Sequence, residues 1–309
     1  MENRKLAAAA FFLAAGFSVF SAAWSQDSLA KSEEKLLIIH ADDVGMCHAV
    51  NEATIKALEE GIVTCGSIMV PCPWFLEIAE YCRKHPEADM GIHVTLTSEW
   101  KHYRWRPVSS TDKVPGLIDE EGYLWPSVLE VVLHASADEV ETEIRAQVKR
   151  AIDFGIKPTH IDTHMGTVFA SPEYFRAYCD VARDFGIPPM IVSPESKIVK
   201  QTIEANPVMA PVLETLKRIA REFPAVDELA EAKSKEVERR KEEYKAIIRN
   251  LKPGITQIIV HLSLGRPEIH GITSEWLARY NDYRIFTALE MKQFIKDQGV
   301  KLTGWRDLR

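Results

Sequence analysis

Residues 36–70 read LLIIHADDVGMCHAVNEATIKALEEGIVTCGSIMV, and this stretch decides the fold class. Leu36–His40 is a short apolar run rich in β-branched residues, the signature of a buried strand. Ala49–Glu60 carries Ile55 and Leu58 at helical spacing, and Gly61 stands just past its end as a stop. Ser67–Val70 is again strand-like. A strand, a helix and a second strand in succession make a crossover unit with parallel strands.

Reading outward, the alternation continues. A helix is expected over Pro73–His85, a strand over Met90–Leu96, and a helix over Asp138–Phe154 with Gly155 at its end. A strand follows over Thr159–Thr163, then a helix over Pro172–Phe185 stopped by Gly186, and a strand over Met190–Val192. Glu228–Asn250 reads as one long charged helix closed by Pro253-Gly254. Thr256–Leu262 is a strand, Leu289–Gln298 a helix and Val300–Thr303 a last short strand. Trp100–Leu133 and Ser193–Asp227 interrupt the pattern as long excursions, which in compact domains often carry function. The expected fold is α/β: a distorted (β/α) TIM-like barrel of mostly parallel strands, closed or nearly closed. No Gly-x-Gly-x-x-Gly follows the first strand, which speaks against a doubly wound open sheet. No linker or repeat interrupts the run, so one domain is expected over residues 30–309.

Residues 1–25 read separately. Arg4 and Lys5 precede the uncharged apolar run Leu6–Phe20, and small residues follow at Ser21–Ser25. These are the three parts of a secretory signal peptide. The run is shorter than the roughly 20 residues a spanning helix needs. Export to the periplasm or the medium is expected, with no stable membrane insertion after cleavage. The five cysteines form no Cys-x-x-Cys pair, and their odd number leaves at least one unpaired within the chain. Small buried hydrophobes are the simplest reading, with a Cys72–Cys82 disulfide left open.

The chain has 309 residues, 46% of them hydrophobic and 27% charged, which is globular composition. A net charge of −7 supplies no basic field for phosphates, so nucleic-acid binding is not expected.

Chemistry-bearing residues gather at predicted strand ends, the face where such barrels place their sites. In His40-Ala41-Asp42-Asp43-Val44-Gly45, adjacent carboxylates on an extended chain point to opposite faces, so they are expected to do different jobs. One would hold a metal and the other a proton; a helix N-cap is the alternative. His93 ends the third strand and His261 the sixth; each alone reads equally as a packed core histidine. His160, Asp162 and His164 share one face if their strand continues. A carboxylate and two imidazoles from different strands can surround a divalent ion and leave positions for water. Zn²⁺ suits such a set, and Mn²⁺, Co²⁺ or Ni²⁺ also fit it.

Three elements in this order are specific: Ala-Asp-Asp-x-Gly, Gly-x-His-x-Thr-Leu and His-x-Asp-x-His. With LLIIHADDVG at 36–45, MGIHVTLTSEW at 90–100, KPTHIDTHMG at 157–166 and TQIIVHLSLG at 256–265, the chain resembles the YdjC/ChbG-like carbohydrate deacetylases from about Leu36 to Trp305. The resemblance implies a distorted TIM-like barrel that hydrolyses an acetamide on an amino sugar. It implies Asp43, His93 and His164 as metal ligands, Asp42 as the base that activates water, and His160 and Asp162 as groups that orient ligands. His261 matches a family histidine able to protonate the leaving amine, and is expected opposite the first strands once the barrel closes. One divalent ion is implied, Zn²⁺ first, with Mg²⁺, Mn²⁺, Co²⁺ or Ni²⁺ as alternatives. The implied partner is an acetylated mono- or oligosaccharide, and a homodimer is left open. Trp100, Tyr103, Trp105 and Trp125, in the first excursion, offer aromatic faces to sugar rings or pack the loop. The chain departs from the family pattern at His40, where Asn is usual, at Leu262-Ser263 in place of Pro-Gly, and at Met165–Thr167, where another His is usual. A different metal-dependent hydrolase, acting on a glycosidic or phosphodiester bond, and a non-catalytic glycan-binding protein are the rival readings.

Overall fold

The computed structural model describes residues 33–308 except Asn206, Val208 and Met209. The expected signal peptide lies outside the described residues. Among the described residues seven strands form one parallel sheet: β1 (Lys35–Val44), β2 (Cys65–Ile68), β3 (Met90–Val94), β4 (Ile161–Thr163), β5 (Glu228–Ala230), β6 (Gly254–His261) and β7 (Lys301–Leu302). Their order is β4-β3-β2-β1-β6-β5, with β7 paired to the start of β1. Between them run α1 (His48–Glu59), α2 (Phe75–Lys84), α3 (Val128–His134), α4 (Ala137–Asp153), α5 (Pro172–Phe185), α6 (Lys197–Ala205), α7 (Ala210–Ile219), α8 (Val237–Arg249), α9 (Pro267–Ile272), α10 (Trp276–Phe286) and α11 (Leu289–Asp297).

The sheet curls into an open half-barrel flanked by helices, the distorted barrel expected. Its gap lies between β4 and β5. Met190–Val192 forms no regular strand, contrary to expectation. The chain there spans the gap through single bridges, Pro189 to Ile161 and Val192 to Val226. Two prolines at 188 and 189 withhold backbone donors, so a continuous ladder cannot form. The long helix expected over Glu228–Asn250 is also corrected. Glu228–Ala230 pairs in parallel with Thr256–Ile258, and the helix begins only at Val237. Pairing to β6 overrides the helical propensity of these residues.

Alternation along β1 sets up the interior. Leu37, Ile39 and Ala41 pack outward on Tyr244, Ile248, Phe286 and Ile295 of the helices. Ile38 points the other way, into a cluster with Cys65, Met190, Val226, Ile255 and Trp305. His40 and Asp42 share the face of Ile38, two and four residues on. Polar groups thus stack above an apolar floor. All five cysteines are buried free thiols, and Cys72 donates to Met69 Sδ at 3.9 Å rather than bonding to Cys82. Among the described residues no helix is long and apolar enough to cross a membrane.

Candidate metal centre

Asp42 and Asp43 close β1, and one backbone angle decides where they point. Asp43 takes the left-handed conformation with φ of 64°, which Asp tolerates better than most residues. The turn is tied by Met46 N–H donating to Asp43 O at 3.1 Å and Gly45 N–H donating to Asn51 Oδ1 at 2.7 Å. The extended geometry that would send the two carboxylates to opposite faces is therefore lost. Both turn toward His93 Nε2, at 3.4 Å for Asp43 Oδ1 and 3.9 Å for Asp42 Oδ2.

Asp43, His93 and His164 come together as the resemblance implied. Asp43 Oδ1 lies 3.1 Å from His164 Nδ1 and 3.4 Å from His93 Nε2, and the two nitrogens are 3.3 Å apart. A cation about 2.0–2.2 Å from each of three tetrahedral ligands would space them roughly 3.3–3.6 Å apart. The observed triangle is close to that size. Asp43 Oδ1 is buried and receives no well-directed hydrogen bond. A buried carboxylate oxygen left in this way is costly unless a cation completes it. The donor set fits a divalent metal ion.

The surroundings aim these ligands. His93 Nδ1–H donates to Asp162 Oδ1 at 2.8 Å, and Ser67 Oγ–H donates to Asp162 Oδ2 at 2.9 Å. His164 Nε2–H donates to both Glu99 oxygens at 3.1 Å. Such carboxylates fix the tautomer and turn the other ring nitrogen toward the cation. Arg279 of α10 donates to Asp43 Oδ2 at 2.5 Å. Burial works against an ionised Asp43, but Arg279 and the two imidazoles hold its carboxyl well below the usual carboxylate range. Burial likewise opposes a charged His164, yet Glu99 and Asp43 push it up to about 9. For His93 the carboxylates of Asp162 and Asp42 overcome burial in the same direction. Without a cation, protons on these rings balance the negative site.

Not every expected residue sits at this centre. His160 Nε2 lies 2.6 Å from His40 Nε2, and its ring stacks on Trp305 at 5.2 Å. His261 stands beside Asp42 in register on the neighbouring strand, not opposite the first strands. The physical reason is the sheet order, which places β6 next to β1. His261 Nε2 is 4.0 Å from Asp43 Oδ2, on the side away from His93, and the ring opens into a cavity of about 260 Å³ with Glu231, Lys233, Glu275 and Arg279. Of the aromatic residues, Trp100 meets Arg279, whose guanidinium lies 5.8 Å from its ring centre. Tyr103 O–H donates to Met46 O in the Asp43 turn. Trp105 is only 3% exposed and donates to Thr97 O, and Trp125 stacks on His134 at 4.1 Å and donates to Gly116 O. These two are engaged in packing their loop.

Sequence reasoning did not single out Arg279, Glu99 or Ser67, and gave His40 no role. Glu99 was within reach of it: a carboxylate just past the third strand, on the functional face. Arg279 carries no local signal, because it reaches Asp43 across 236 residues of chain.

Fold and site together define an α/β half-barrel protein with a carboxylate–imidazole cation site at the C-terminal ends of its parallel strands. The chain belongs to the family described as YdjC-like protein, whose model matches residues 36–297. It is 32% identical over 265 residues to a carbohydrate deacetylase of Thermus thermophilus, covering 85% of this chain and 90% of that one. A carbohydrate deacetylase of Thermoanaerobacter pseudethanolicus is 28% identical over 279 residues, covering 89% and 100%. The fold matches the crystal structure of an Enterococcus faecalis protein with a TM-score of 0.73 at 24% identity, over 89% of this chain and 99% of that one.

Proposed function

We propose that the protein is a metal-dependent carbohydrate deacetylase that removes acetyl groups from an acetylated amino sugar or oligosaccharide. The observation that carries the reading is the triangle of Asp43 Oδ1, His93 Nε2 and His164 Nδ1, with the Asp42 carboxylate beside it. The relatives named carbohydrate deacetylases support the substrate class. In this reading Asp43, His93 and His164 hold one divalent ion, Zn²⁺ first by donor set and Mg²⁺, Mn²⁺, Co²⁺ or Ni²⁺ as alternatives. Such an ion supplies an acidified water and a polarised acetyl carbonyl.

The chain's own residues do the rest. Asp42 takes the proton of the attacking water, since its Oδ2 faces the site while Oδ1 is held by His40. Asp162 and Glu99 keep the imidazoles aimed. His261 donates a proton to the leaving nitrogen as the C–N bond breaks, and acetate and a free amine depart. Trp100 offers a ring face to the sugar beside Arg279. Export, supported by the charged, apolar and small-residue segments of residues 1–25, would place this activity in the periplasm or outside the cell. The test is acetate release from a panel of acetylated mono- and oligosaccharides, with and without chelator. Release that chelator abolishes and added metal restores is expected. A metal-loaded protein that frees no acetate from any member would overturn the reading.

A further inference from the structure

The two carboxylate oxygens of Asp43 have different surroundings. Oδ1 faces the imidazoles, 3.1 Å from His164 Nδ1 and 3.4 Å from His93 Nε2, and receives no well-directed hydrogen bond among the described residues. Oδ2 meets Arg279 instead and accepts from Nη2–H at 2.5 Å, with His261 Nε2 4.0 Å off. The pair is out of water: the Arg279 side chain is 8% exposed and that of Asp43 1%. Arg279 Nε and Nη1 are buried and have no hydrogen-bond partner among the described residues. Arginine is usually kept for its fork, with two donors on one partner. Here the fork is unused, and buried donors left empty are costly. Packing alone does not account for this guanidinium; its one charge-assisted bond is to Asp43.

The mount of Arg279 is rigid. It stands in the first turn of α10, and its carbonyl accepts from Ser263 N–H at 3.2 Å, just past β6. One turn on, the fully buried Asp282 accepts from His261 N–H at 3.1 Å and from Tyr244 O–H at 2.8 Å, and pairs with the fork of Arg240. Two ties thus fasten α10 to the end of β6, which pairs with β1 as far as Asp42. The guanidinium carbon lies over the Trp100 ring at 5.8 Å, an attraction that adds to its hold. A side chain locked in this way keeps its partner aimed.

We propose that Arg279 is a positioning residue that makes Asp43 a one-oxygen metal ligand. By occupying Oδ2 it leaves Oδ1 alone for the cation that Asp43, His93 and His164 would hold. The proposal rests on the reading of Asp43 as a ligand. A free carboxylate binds a cation through one oxygen or through both, so Asp43 by itself does not fix the mode. The Arg279 N–H takes up a lone pair of Oδ2, and its positive charge opposes a second cation on the same atom, the more strongly because the pair is buried. What is gained is room. A hydrolytic site needs a position left open for water or substrate, and a second Asp43 oxygen would compete for it. The guanidinium also offsets the Asp43 charge, so less of the polarising power that a cation supplies to an acetyl carbonyl is spent on its own ligand.

Cobalt(II) tests this by colour, because its visible bands are strong at low coordination number and weak when six-coordinate. Metal-free protein titrated with Co²⁺ is expected to bind one equivalent with strong bands. Arg279→Gln should still bind Co²⁺, with bands weakened several-fold as Oδ2 joins the ion. Arg279→Lys should keep the strong bands, since one charged donor is used and the fork is not. Activity should follow: kcat about 10–100-fold lower in Arg279→Gln, the range for groups that orient metal ligands, with KM little changed and recovery in Arg279→Lys. A residue that only packs would lower Tm and leave the bands alone. Wild-type bands in Arg279→Gln would therefore overturn the clamp, as would bands weakened equally in Lys and Gln. A crystal structure of the Zn²⁺-loaded wild type needs no variant to fold: one Asp43 oxygen at bonding distance is expected, and both at that distance would overturn the proposal. Neither reading involves turnover. A metal-loaded protein that frees no acetate still tests the clamp, and acetate release beside wild-type bands in Arg279→Gln sinks the clamp while the deacetylase reading stands.

Discussion

Asp42 and Asp43 are consecutive, yet both carboxylates approach the same atom, His93 Nε2, at 3.9 and 3.4 Å. The left-handed backbone at Asp43 makes this happen. Asp43 is the more deeply held, between Arg279 and the two imidazoles, whereas Asp42 keeps one oxygen on His40 and turns the other to the site. The two roles should therefore separate on mutation. Asp42→Asn is expected to retain the metal and lose roughly 10²–10⁴ in rate, the usual contribution of a general base. Asp43→Asn should lose the metal. Elemental analysis beside acetate release checks the pair, and the reverse pattern would exchange the assignments.

His93→Ala should remove most of the bound metal while leaving the fold largely intact. Its ring lies at the strand ends rather than in the apolar floor around Ile38 and Trp305. Metal content and circular dichroism measured on one preparation decide it; unchanged metal would reject His93 as a ligand.

Glu99 accepts from His164 Nε2 through both oxygens at 3.1 Å. Glu99→Gln keeps the shape but weakens the hold on the ring. Partners of this kind are worth roughly 10–100-fold in metal affinity, so competition against a coloured chelator should show a loss in that range. An unaltered affinity would reduce Glu99 to a neighbour.

The alternation of strand and helix, and the gathering of Asp and His at strand ends, were legible because both depend on local pattern. Period-two alternation places His40 and Asp42 on one face whatever the rest of the chain does. What escaped depends on distant partners or single angles. Nothing near Glu228 announces that it pairs with Thr256. The φ of Asp43 cannot be read from its neighbours, and it overturned the expectation that the two carboxylates diverge. His261 was seen as a strand-end histidine, but only the sheet order shows that it stands beside Asp42.

The metal-free site should respond to pH in a definite sense. His164 rises from an ordinary value of 6.5 to about 9, and His93 moves the same way. A raised histidine stabilises the folded chain fully below its unfolded value, and that stabilisation is lost as pH rises through the folded one. The chelator-treated protein should therefore lose thermal stability between about pH 6.5 and 9. Metal affinity should run the other way and rise over the same interval, because each ion entering must displace these protons. Calorimetry in buffers of different ionisation enthalpy should show protons released on binding at pH 7. Binding without proton release would mean the rings are already neutral.

His261 supplies the last test. It stands on β6 beside Asp42, with Nε2 4.0 Å from Asp43 Oδ2 and Nδ1 3.8 Å from Glu231 Oε1. His93 and His164 lie on the other side of Asp43 along the sheet, so a proton given by His261 reaches the reacting group from the side opposite the imidazole ligands. The side chain is 28% exposed, open to the cavity that Arg279 and Glu275 also line. A base and an acid that must be in opposite protonation states give a bell-shaped profile of kcat/KM against pH. As the acid that protonates the leaving nitrogen, His261 is expected to carry the basic limb. His261→Ala should flatten that limb and lower the rate while metal content stays the same. A histidine that only packs would behave differently: its loss would lower the melting temperature and leave activity per folded molecule, and the basic limb, as they were. Measuring the profile and the melting temperature on the same variant separates the two, and an unchanged basic limb sinks the acid role.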